Sequence, residues 1–189
     1  MTKPSFVYVT YIRTSPEKLW QALTDGSVTR QYWAGRRVES DWTVGAPVTF
    51  WFDGNVSDSG KVLECDPPRR LSYSFHVEFV EALRSEPPSR VTFEIEKLDV
   101  QVKLTVTHDE FEPGSNVFAA ISGGWPVILS SLKSLLETGR PIEFPNRLLR
   151  CSPRQGGGID GGPGSHVPGR LETGKPLKTP APQPPKAED

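Results

Sequence analysis

Few side chains in this 189-residue sequence have a type and spacing that could do chemistry, and His108 stands first among them. It follows Val102, Leu104 and Val106 at a period of two, which puts it on the buried face of a strand. A histidine there could orient a polar ligand group or act as a general base. The plainer reading is a hydrogen-bonded structural histidine at a strand end, just before Asp109 and Glu110. His76 alternates outward and has no evident partner. Glu94 and Glu96 lie two residues apart and would serve acid–base chemistry only in a shared dry cleft. Alternation sets them opposite Phe93 and Ile95, on a solvated face. Arg36-Arg37 and Arg69-Arg70 could meet a carboxylate, yet one pair begins a strand, the other follows a turn, and both read as surface charge.

Other chemistry-bearing patterns dissolve on inspection. Residues 169 to 176 (GRLETGKP) fit GxxxxGK, but Pro176 replaces the hydroxyl residue that a phosphate loop needs, and no strand precedes it. Cys65 and Cys151 are far apart, no Cys/His spacing suits a metal, and no local nucleophile–base motif occurs. No metal, no cofactor and no catalytic residue is therefore assigned.

What remains is a set of large apolar side chains on inward faces: Phe50, Phe52, Tyr73, Phe75 and Phe93 from strands, with Trp125 and Leu129 from a helix. Tyr32 and Trp33 fall where the mouth of an enclosed space would be. With His108 they form the candidate ligand-binding set. The plainer alternative is a filled core.

The elements that would position these residues are legible from periodicity. Residues 6 to 13 are β-branched and aromatic and read as a strand. Ser15 and Pro16 suit the N-cap and first position of a helix that ends at Asp25-Gly26, and a second short helix spans about 28 to 33. Strands are expected over 37 to 42, 47 to 53, 60 to 65, 71 to 79, 90 to 97 and 100 to 108. In the last three, apolar and polar residues alternate as in antiparallel strands with one buried face. After Pro113-Gly114 the period changes to that of a helix. Phe118, Ile121, Trp125, Ile128, Leu132 and Leu135 share its stripe, and Pro126 either kinks it or opens its second half. A curved antiparallel sheet of six or seven strands gripping a long C-terminal helix, an α+β fold, is the expected architecture, with the spare volume between them as the site.

Composition sets the limits. All five Trp and all nine Phe lie in residues 1 to 144, the expected domain. Residues 145 to 189 have no aromatic residue among many Pro and Gly, and are expected to be a disordered tail. The two parts carry net charges of −4 and +3, neither a concentrated basic surface, so no nucleic-acid partner is expected. The polar N-terminus reads as no signal peptide, and no apolar run approaches a membrane span. A cytoplasmic setting with reduced thiols follows.

Several local patterns, in order, carry a resemblance. They are residues 14 to 25 (TSPEKLWQALTD) with Tyr32-Trp33, residues 60 to 73 (GKVLECDPPRRLSY), residues 89 to 96 (SRVTFEIE) and residues 104 to 108 (LTVTH). Gly124-Trp125, Leu132-Lys133 and residues 136 to 139 (LETG) complete the set. Together they make residues 6 to 142 resemble the START-like (SRPBCC) superfamily, and within it the bacterial homologues of the activator of the 90-kDa heat-shock-protein ATPase. The resemblance implies a helix-grip fold with a deep apolar cavity. It implies a small hydrophobic molecule (lipid-, polyketide- or aromatic-like) as the ligand. The alternatives are a co-chaperone-like module with a chaperone or other protein partner, or a cyclase or hydrolase using the same cavity.

Overall fold

The computed structural model describes residues 3–144. The tail expected over 145 to 189, with Cys151 and the GxxxxGK-like stretch, lies outside the described residues. Seven strands form one fully antiparallel sheet in the order β1-β7-β6-β5-β4-β3-β2. They are β1 (Phe6–Ile12), β2 (Arg37–Glu39), β3 (Pro47–Phe52), β4 (Asn55–Asp66), β5 (Arg70–Val77), β6 (Ser89–Lys97) and β7 (Val102–Asp109). Helices α1 (Pro16–Thr24) and α2 (Gly26–Tyr32) follow β1, α3 (Glu81–Arg84) joins β5 to β6, and α4 (Asn116–Thr138) closes the fold.

Local chemistry explains the junctions. Ser15 caps α1 by accepting the Lys18 N–H, with Pro16 in the first turn. Asp25 ends α1 and starts α2 at once, its Oδ1 accepting the Ser27 N–H at 2.8 Å. The second helix therefore begins two residues earlier than its apolar residues suggest. Asp53 and Gly54 both have positive φ, as a tight two-residue hairpin turn requires, so β4 starts directly at Asn55. The strand expected only from residue 60 is thus twice as long. β2 is shorter than expected because Trp42 turns to a φ of 54° and donates from Nε1 to the Thr24 carbonyl at 3.0 Å. The polar stretch before Pro87-Pro88 holds α3.

α4 runs unbroken through Pro126 for 23 residues, about 35 Å. Its buried side includes Trp125, Leu129 and Leu132, packed on the sheet's inner face. By length and composition α4 could cross a membrane; Trp125, Leu129 and Leu132 of its apolar side are buried in the core. Both ends are pinned. Glu86 accepts from Ser115 Oγ and the Asn116 N–H at its start, and Glu137 accepts the Arg13 N–H near its end. Just before Pro126, a Cβ added at Gly123 would meet nothing within 4 Å. Gly123→Ala is therefore expected to raise stability by about 0.5–1 kcal/mol through backbone entropy alone, read as a higher denaturation midpoint with an unchanged slope.

Candidate ligand site

A cavity of about 200 Å³ opens beside the N-terminal half of α4. One wall is Ile121, Gly124, Trp125 and Ile128 of α4; another is Phe75 and Val77 at the end of β5. Phe79, Val80 and Leu83 of the α3 segment cover it, and Phe144 reaches it from beyond α4. Trp33 and the turn to Arg36 close the side nearest β2. That turn depends on Ala34 and Gly35, both at positive φ (49° and 82°). The volume lies below the roughly 300–1,000 Å³ of most ligand pockets, but above the roughly 150 Å³ that suffices to hold benzene in an apolar core.

The centre of the sheet–helix interface is filled rather than hollow. Trp33 packs on Phe50 (5.1 Å between ring centroids), Phe50 on Tyr73 (6.0 Å), Tyr73 on Phe93 (5.9 Å), Phe93 on Trp125 (5.8 Å) and Trp125 back on Trp33 (5.2 Å). These tilted and edge-to-face contacts make a closed ring. Of the residues expected from sequence, Trp33, Phe75, His108 and Trp125 line the cavity. Phe50, Tyr73, Phe93 and Leu129 are packed core outside its walls. Tyr32 is fully buried, its hydroxyl donating to the Ala22 carbonyl at 3.1 Å; burial pushes its pKa up. Phe52 stands against Arg36 instead.

His108 is fully buried and both its ring nitrogens are engaged. Trp125 Nε1 can only donate, so His108 Nδ1 accepts from it, at 3.0 Å. The proton therefore sits on Nε2, which donates to Ser89 Oγ at 2.7 Å, leaving the serine hydroxyl to donate to the Phe75 carbonyl at 3.2 Å. Burial pushes the imidazole pKa down to about 3, partly opposed by Asp109. So arranged, His108 has no nitrogen free to take a proton from a ligand. It fixes the indole of Trp125 in the cavity wall.

The polar element of the site is one that sequence reasoning missed. Arg36 is no surface charge: its side chain is 19% exposed, and its Nε lies 3.5 Å from Oδ2 of Asp58, itself 7% exposed. Both line the cavity, the charged groups among otherwise mostly apolar walls. The guanidinium carbon also sits 5.2 Å from the ring centroids of Phe52 and Phe79. Burial raises the Asp58 pKa, opposed by Arg36 and by Ser57 Oγ at 2.7 Å. Asp58 escapes an alternation reading because β3 and β4 slip register between Phe50 and Trp51, so that consecutive Ser57 and Asp58 are both buried. The Asp53-Gly54 pair was the available signal that a strand begins there.

His76, expected to be unpartnered, also has a role. Its Nδ1 lies 3.1 Å from Glu78 Oε1 and its Nε2 lies 3.0 Å from the Arg84 carbonyl, tying β5 to α3. Arg84 in turn donates to the Glu78 carbonyl. On the outer face, Arg70 pairs with Glu64 and Glu94 and Lys103 with Glu96, so this part of the sheet is a solvated, mutually neutralised surface. Among the described residues no cluster of His, Cys, Asp and Glu could hold a metal.

A seven-stranded antiparallel sheet with a long C-terminal helix across its inner face, two short helices after the first strand and a side cavity defines the helix-grip class. Residues 13–137 match the family model described as activator of Hsp90 ATPase homolog 1-like protein, and the chain belongs to that family. It is similar to a dimeric Aha1 protein of Colwellia psychrerythraea (25% identity, TM-score 0.60), covering 72% of this chain and 98% of that one. A protein of Mesorhizobium loti is 26% identical with a TM-score of 0.61, over 70% and 96% of the two chains. An Hsp90 activator of Plasmodium falciparum shares the fold at 22% identity and a TM-score of 0.59, over 70% and 95%. No curated protein matches the chain.

Proposed function

We propose that this domain binds a small hydrophobic molecule in the cavity between α4, α3 and the end of β5, in the cytoplasm. The observation that supports this most is the cavity itself: apolar space beside a close-packed aromatic ring. Apolar burial would supply the affinity, at about 25 cal/mol per Å² removed from water. Toluene is expected to perturb the fluorescence of Trp33 and Trp125, which both line the cavity. Gly124 lines it too, and a Cβ there meets nothing within 4 Å. Gly124→Leu should fill the space and abolish the response without loss of stability. An equal response from wild type and Gly124→Leu would remove the cavity as its source.

A second reading, a co-chaperone-like module, has its own support. Val7, Val9 and Tyr11 are 59%, 46% and 47% exposed in a row on β1, an edge strand of the sheet. Such a row suits a protein partner, and both the family description and the Plasmodium relative point to Hsp90. This reading expects the chain to raise Hsp90 ATPase activity and Val9→Lys to remove the effect; an unchanged ATPase rate with the intact chain would count against it.

A further inference from the structure

We infer that the ligand is a small aryl or arylalkyl carboxylate, its ring in the apolar cavity and its carboxylate on the free edge of the Arg36 guanidinium. This rests on the cavity being a binding site, and it adds the chemistry of the occupant. Size limits the apolar part. At about 200 Å³ the space exceeds a benzene-sized cavity only modestly, so the part of the ligand it encloses is a ring with a short substituent.

The walls determine the polar part. Among the described residues, Arg36 and Asp58 are the only charged residues in the lining. Arg36 meets Asp58 through Nε, at the long distance of 3.5 Å, and its guanidinium packs against the rings of Phe52 and Phe79. The Nη edge makes no hydrogen bond with any described residue. A partly buried guanidinium with an unused pair of parallel N–H donors matches a carboxylate in geometry and charge. Asp58, by contrast, already has Ser57 Oγ at 2.7 Å and Arg36 beside it, so the site offers the ligand donors rather than an acceptor. The two aromatic rings hold the guanidinium plane in place, which reduces the ordering cost of binding.

The test compares phenylacetate with its isosteric neutral amide, phenylacetamide, by calorimetry on the full chain. Phenylacetate should bind about tenfold more tightly, as a charge-assisted bond exceeds a neutral one. Asp58→Asn should widen the preference by removing the competing carboxylate, and the double variant Arg36→Met with Asp58→Asn should erase it, with phenylacetate losing more affinity than phenylacetamide. The double variant avoids stranding a buried carboxylate, so it should remain folded. Equal affinity for the two probes, or a preference that survives the double variant, overturns the carboxylate assignment while the cavity reading stands. No binding of either probe or of toluene overturns both.

Discussion

Replacing His108 with alanine is expected to cost about 4 kcal/mol at pH 7. Three effects add. The Trp125 indole N–H loses its acceptor, the Ser89 hydroxyl loses the donor that fixes its orientation, and a void opens against Phe75 and Phe111. The same residue sets an acid limit on stability. Its folded-state pKa of about 3 lies below the ordinary 6.5, so the unfolded chain takes up the proton first. The stability that neutral His108 contributes is fully present above pH 6.5 and is lost as pH falls from there toward 3, at about 1.4 kcal/mol per pH unit. Asp25, Glu78 and Glu137 have pKa values lowered by bonds from the Ser27 hydroxyl, the Ser59 hydroxyl and the Arg13 N–H, respectively, so their contributions fade only at lower pH. Denaturant titrations from pH 7 to 5 should show wild type losing stability faster than His108→Gln, which keeps bulk and hydrogen-bonding groups but cannot titrate. Parallel profiles would show that His108 is not held neutral.

Gly60→Ala should cost about 3 kcal/mol or more, against the gain expected at Gly123. A Cβ at Gly60 would lie 1.7 Å from the Ser74 carbonyl oxygen, a backbone atom that no side-chain rotation can move. The strain falls where β4 and β5 already pair irregularly between Val62 and Glu64, and where Ser74 Oγ accepts the Lys61 N–H at 2.9 Å. β4 carries Asp58 and β5 carries Phe75, so the variant should also disturb the cavity. Urea unfolding measures the first effect. A Gly60→Ala protein as stable as wild type would mean that the two strands are farther apart than described.

The contrast between Phe93 and Asp58 shows what the sequence could and could not convey. Phe93 sits in a strand of clean alternation, and its inward direction follows from the pleat alone. Whether space remained beside it did not follow, because that depends on how five aromatic rings tilt against one another. They close into a ring, and the free volume moves to one side, under α3. That helix is four residues long between apolar Phe79-Val80 and Pro87-Pro88, too short for a periodic signal. Asp58 depends on a register slip, which alternation by its nature hides. Arg36 reads as surface charge until Asp58 is known to face it. The sheet, the gripping helix and the buried histidine were legible because each rests on a run of regular spacing. The charged pair was not, because it rests on a break in one.

Uptake of a small apolar molecule by the cavity beside α4 can be read in an amide- and indole-detected NMR titration of the chain with toluene to millimolar concentration. Saturable shifts of the Trp33 and Trp125 indole signals and of the Gly124 amide are expected, with Val7, Val9 and Tyr11 unmoved. Absence of any saturable shift, or shifts confined to β1, would contradict it.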